Sequence, residues 1–81
     1  MNKADVLARL QKVFDEVFIE AVVVTPELSA ADVAEWDSVL QISLVISIER
    51  AFSVRFQVGE VGATRNVGEL IDVILKRAPR G

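Results

Sequence analysis

The 81-residue chain carries twelve acidic and nine basic residues, a net charge of −3, and neither cysteine nor histidine. One domain spanning 1–81 is expected, large enough to fold around a single core without a disulfide or a metal. The missing residue types remove the usual nucleophile with its histidine base and the usual zinc ligands, and the negative charge opposes contact with a nucleic-acid backbone. Carboxylates alone would need a pocket that scattered polar residues in so small a domain do not suggest, so a protein without enzymatic activity is expected. No apolar run approaches the length of a membrane span, and Met1-Asn2-Lys3-Ala4-Asp5 holds no signal-peptide core. The expected location is the cytoplasm.

From Ala4 to Phe18 the apolar residues Val6, Leu7, Leu10, Val13, Phe14 and Val17 recur at steps of three and four. That spacing predicts an amphipathic helix, capped by Asn2 and carrying Asp5 in its first turn. Residues 19–37 read as a long, packed connection, since Pro26 interrupts any helix running through them. Val22, Val24, Leu28 and Val33 are its apolar anchors. Val22-Val23-Val24 also suits a buried strand, and Val54, Phe56 and Val58 alternate with Arg55 and Gln57 as a second one, so a small α+β domain competes with the helical reading.

Ser38 to Phe52 has the strongest helical signal. Placed at 100° per residue, Leu40, Leu44, Val45, Ile48, Ala51 and Phe52 fall on one wide core face, opposite Ser43, Ser47 and Arg50. Val39, Ile42 and Ile46 flank the polar strip instead, which predicts exposed apolar surface. Gly59 and Gly62 limit the next segment to a short helical turn around Val58 to Ala63. Asn66 with Glu69 then caps a last helix through Val67, Leu70, Ile71 and Ile74 to Lys76 and Arg77, and residues 78–81 should fray. The sum is an all-α fold of three main helices, one short helix and a long loop between the first two.

Glu35-Trp36-Asp37-Ser38-Val39-Leu40 stands at the mouth of the central helix. An Asp-Ser pair there has a simple structural explanation: either side chain can cap the first turn, and Ser38 with Gln41 fits a capping box. In that reading the protein is an unmodified small helical interaction module. Trp36, the only tryptophan, reads as a plug closing the loop onto the helix, and Thr64-Arg65-Asn66 as the start of the last helix with Arg65 solvated.

The segment nevertheless resembles, in place and spacing, the Asp-Ser-Leu site of acyl carrier proteins and peptidyl carrier domains, with Val39 where the family usually has leucine. The resemblance covers nearly the whole chain. It implies a monomeric acyl-carrier-like four-helix bundle in which Ser38 accepts a 4'-phosphopantetheine arm, donated by coenzyme A through a phosphopantetheinyl transferase. Asp37 would then be the cap. Acyl or aminoacyl cargo would ride on the arm as a thioester, presented to loading and transfer enzymes that grip the Val39, Ile42, Ile46 surface. Carriers of bacterial fatty acid synthesis are usually rich in glutamate along this helix, whereas Leu40, Ser43, Arg50 and Ala51 stand here at positions often acidic there and only Glu49 keeps its charge. This departure points to a specialised biosynthetic pathway.

Overall fold

Asn2 opens the first helix. Its Oδ1 accepts the Asp5 amide at 2.8 Å, and the Asp5 carboxylate accepts the Asn2 amide at 3.4 Å, so two amides left over at a helix start are satisfied reciprocally. In the computed structural model, which describes residues 2–57 and 59–78, helix α1 runs Lys3–Val17, α2 runs Ser38–Phe52 and α3 runs Val67–Arg77. Val6, Leu10, Val13 and Phe14 form the buried stripe of α1, and Phe18 follows it into the core. Both α2 and α3 pack against this helix. They contribute Leu44, Ile48 and Phe52 from α2, and Val67, Leu70, Ile71 and Ile74 from α3.

The architecture is all-α, with three main helices and the long first loop, and no strand occurs among the described residues. The α+β alternative fails for a specific reason. Val22 is half-buried, Val23 exposed and Val24 buried, an alternation suited to a strand. Its partner, however, is a side chain: Gln11 on α1 donates from Nε2 to the Val22 carbonyl at 2.7 Å and accepts the Val24 amide on Oε1 at 2.9 Å. One glutamine thus satisfies the backbone that a second strand would otherwise have to pair.

The loop also reaches α3. Val67 and Gly68 donate their amides to the carbonyls of Leu28 and Pro26, each at 2.8 Å, which pairs two more orphan helix-start donors. A Cβ on Gly68 would lie 3.2 Å from the Pro26 oxygen, so the close approach favours glycine. Ala30–Asp32 forms a short 3₁₀ turn within this loop. Residues 59–64 are successive turns that include one α-type bond, from the Ala63 amide to the Gly59 carbonyl at 3.0 Å. Val58, at the start of the expected short helical turn, and 79–81, in the expected frayed end, lie outside the described residues, as does Met1.

The central helix corrects one part of the wheel. Leu44, Ile48 and Phe52 are buried and Leu40 and Val45 pack partly against the core, but Ala51 is exposed and Ser47 is half-buried. The broad neighbour of α2 is α1, so the inward face narrows to the i, i+4 row that meets it, and Ala51 lies beyond that row. Helix α2 ends at Ser53 in the left-handed region, with φ of 54°. The Val54 amide returns to the Glu49 carbonyl at 3.1 Å, and the Glu49 carboxylate accepts the Phe56 amide at 2.9 Å.

Truncation of Leu44 or Ile48 to alanine is expected to cost about 2–5 kcal/mol, from lost burial and the cavity left behind. Ala51→Ser should change stability by less than about 0.5 kcal/mol, as an exposed substitution does. Urea titrations of the three variants test the corrected face directly. A loss at Ala51 comparable to that at Leu44 would restore the wide arc.

Candidate functional site

The site lies where the long loop, the start of α2 and the turns before α3 converge. Asp37 caps α2: its Oδ1 accepts the Leu40 amide at 2.9 Å and its carbonyl accepts the Gln41 amide at 2.9 Å. Ser38 is the first helical residue and is exposed. Its hydroxyl has no hydrogen-bond partner among the described residues. The alternative box of Ser38 with Gln41 is not made, because Asp37 occupies the cap and the Gln41 Oε1 accepts the indole N–H of Trp36. A free hydroxyl therefore sits at the positive end of the helix dipole, beside a first turn that favours bound negative charge.

Trp36 plugs the loop against the bundle, as its sequence position suggests. Its ring meets Phe14 edge-on, with centroids 5.4 Å apart at 84°, and Phe18 at 5.8 Å and 69°, while the two phenylalanines stack at 5.1 Å. Such offset and edge contacts add to the area the rings bury. Glu35 fastens the same corner by accepting the amides of Ile19 at 2.9 Å and Glu20 at 3.2 Å. Glu35, Asp37 and Glu49 are thus each engaged with backbone amides, and their charges hold loops and caps in place.

A groove of about 580 Å³ opens beside Ser38, with Trp36, Gln41, Val61, Thr64 and Arg65 among its walls. A second, more apolar groove of about 360 Å³ shares Gln41, Val61 and Gly62 with it and continues to Val45, Ile46 and Phe56. Together they form a valley from Ser38 along one flank of α2. Val39, Ile42 and Ile46 stand at its side with 73%, 63% and 46% of their surface exposed, a contiguous apolar strip of the kind that marks contact surfaces.

The far wall of the valley is tied down by an ion pair that the sequence did not disclose. Arg77 donates to one Glu60 oxygen from Nε at 3.1 Å and from Nη2 at 2.9 Å, and the other oxygen accepts the Gln57 amide at 3.1 Å. The Arg77 hydrogen bond, followed by that of the Gln57 amide, holds the Glu60 carboxyl below the usual glutamate range. Because the folded value is depressed, the stabilisation is complete above the unfolded pKa, about 4.3, and is lost as pH falls through the folded value. Glu60→Gln should therefore be less stable than the parent near neutrality, and the gap should close as pH drops below about 4. Denaturant midpoints measured across that range check the sign. A gap that stays constant would show that Glu60 contributes through shape alone.

Helical periodicity marked the exposed strip and the resemblance to a carrier site singled out Asp37 and Ser38, but neither disclosed Gln11 or the Glu60–Arg77 pair. Each joins segments 11 or more residues apart, a separation at which no local spacing rule applies.

No protein-family model and no curated protein matches the chain. Among solved structures it is similar to the holo acyl carrier protein from Geobacter metallireducens, determined by solution NMR. The TM-score is 0.71 and the sequence identity 32%, over 93% of this chain and 83% of that one. The chain belongs to the acyl carrier protein family, whose members are carriers rather than enzymes. No helix among the described residues is long and apolar enough to cross a membrane.

Proposed function

We propose that this protein is an acyl carrier whose Ser38 holds a 4'-phosphopantetheine arm donated by coenzyme A, and that it presents acyl or aminoacyl intermediates to enzymes of a specialised cytoplasmic pathway. The observation that carries the site is the division of labour at the start of α2: Asp37 caps the helix, and Ser38 keeps an exposed, uncommitted hydroxyl. The residues fit the group. A phosphodiester on that oxygen would lie at the helix's positive end, and the neighbouring groove leaves room for the pantetheine portion of the arm. The arm supplies a terminal thiol for thioester chemistry, which a chain without cysteine does not itself possess.

Ser38 acts as an acceptor. Its oxygen forms the new bond to phosphorus as the diphosphate linkage of coenzyme A breaks and adenosine 3',5'-bisphosphate leaves, and its proton passes to a base of the transferase. Val39, Ile42 and Ile46 offer the transferase and the loading enzymes an apolar contact. Ser43 and Arg50 are the exposed polar residues beside it. Glu49 is the single acid of α2, so acidic charge along the helix is too sparse to steer a basic partner strongly, and this supports dedicated enzymes that recognise shape and apolar area.

Purified protein incubated with coenzyme A, magnesium and a broad-specificity transferase should gain one phosphopantetheinyl group by intact mass. Ser38→Ala should fold and gain nothing, whereas Ser29→Ala, Ser43→Ala and Ser47→Ala should be modified like the parent. Persistent modification of Ser38→Ala would refute the assignment. No addition to the parent, under conditions that modify a control carrier, would favour the unmodified interaction module.

The partner surface is tested separately. Ile46→Asp should leave the helical signal and the denaturation midpoint nearly unchanged, yet slow loading by about fivefold or more by placing an unpaired charge in an apolar contact. The parent's loading rate should vary by less than about threefold between low and physiological salt. A steep salt dependence, or indifference to Ile46→Asp, would move the docking surface elsewhere.

A further inference from the structure

The groove beside Ser38 has walls of mixed character, with the Asp37 carboxylate at the helix start and hydrogen-bond donors among its other residues. Apolar surface comes from Trp36, Val61 and Leu70. Several polar neighbours are already engaged: Thr64 donates its hydroxyl to the Val61 carbonyl at 2.6 Å, the Asn66 Oδ1 accepts the Glu69 amide at 2.9 Å, and the Gln41 Oε1 accepts the Trp36 indole. What remains apart from the Asp37 carboxylate, whose Oδ1 already accepts the Leu40 amide, is donor capacity. The Gln41 Nε2 has no partner among the described residues, and no buried side-chain nitrogen or oxygen there lacks one, so this amide is reachable from the groove. Arg65 is the one cation among the described residues lining the groove. Its contact with Glu69, 3.6 Å between Nε and Oε2 with the arginine side chain 88% exposed, is a surface pair of small worth that a better anion can displace.

A phosphopantetheine arm is complementary to this set. It bears one negative phosphodiester, amide carbonyls that accept hydrogen bonds, and an apolar dimethyl unit between them. Tethered at Ser38, which itself lines the groove, it competes for these donors without the entropic cost of a free ligand. Resting on the Ser38 assignment, we propose that Arg65 and Gln41 are positioning residues that hold the arm in this groove between deliveries, Arg65 against the phosphodiester and Gln41 against an amide carbonyl, with the dimethyl unit against Trp36. The bland role of Arg65, a solvated residue at the start of α3, predicts no contact with the arm at all.

The test uses intact, loaded protein, with the mass gain at Ser38 verified first. In proton NMR spectra the arm's two methyl resonances should be displaced from their positions in free coenzyme A by the Trp36 ring, with cross-relaxation between those methyls and the indole protons. Arg65→Glu should return the methyls most of the way to the free positions and abolish the cross-relaxation, Arg65→Lys should retain most of the displacement, and Gln41→Leu should reduce it. The apo spectra of Arg65→Glu and the parent should agree away from residue 65, which separates positioning from a change of fold. Methyls at the free positions in the loaded parent, or displaced equally in Arg65→Glu, would overturn the arm's bed and leave the Ser38 assignment standing. Failure of the parent to gain mass would instead remove the assignment, and this inference with it.

Discussion

Helix α1 is the constraint on which the other parts depend, because both α2 and α3 pack against its stripe of Val6, Leu10, Val13 and Phe14. Two helices laid on a common third leave a gap where they diverge from each other. In this chain the gap is closed by irregular segments: the long loop on one side, and residues 53–57 and 59–66 on the other. Irregular backbone near a core must find partners for its amides and carbonyls, and the structure supplies them singly, through Gln11, Glu35, Glu49 and the Glu60–Arg77 pair. The valley beside Ser38 is what this mode of closure leaves open.

The start of α2 shows how a small change in capping decides what a residue can do. A serine that caps a helix has its oxygen committed to an amide; the same serine one position later has it free. Asp37 takes the first role and Ser38 the second. Gln41, whose spacing suited a box with Ser38, turns to the Trp36 indole, and so couples the aromatic plug of Phe14, Phe18 and Trp36 to the first turn of α2. The loop, the plug and the helix start are therefore one mechanical unit, which keeps an exposed hydroxyl at a defined place.

The strip of Val39, Ile42 and Ile46 leaves apolar surface exposed along α2 beside Ser38. The nearby acids Glu35, Asp37 and Glu49 accept backbone hydrogen bonds, which fix their charges in place. Contact area drives slower encounters than opposite charge does, but it discriminates by shape.

Much of the fold is legible in the sequence. The period of apolar residues marked α1, α2 and α3, the Asn2 and Asn66 caps marked two starts, and the apolar residues left off the central arc marked the exposed strip, because helical periodicity and capping are local and act within a few residues. The sequence was ambiguous where the deciding partner is distant. Val22-Val23-Val24 has a strand's alternation, and only the approach of Gln11 makes it a loop; Ala51 has a core residue's spacing, and only the absence of a helix over it leaves it exposed. By itself, then, the sequence determined the helices, their caps and a serine at the head of the most apolar one. The tertiary structure alone decided which loops close over the core and where a groove remains, because those outcomes depend on side chains brought together from separate segments of the chain.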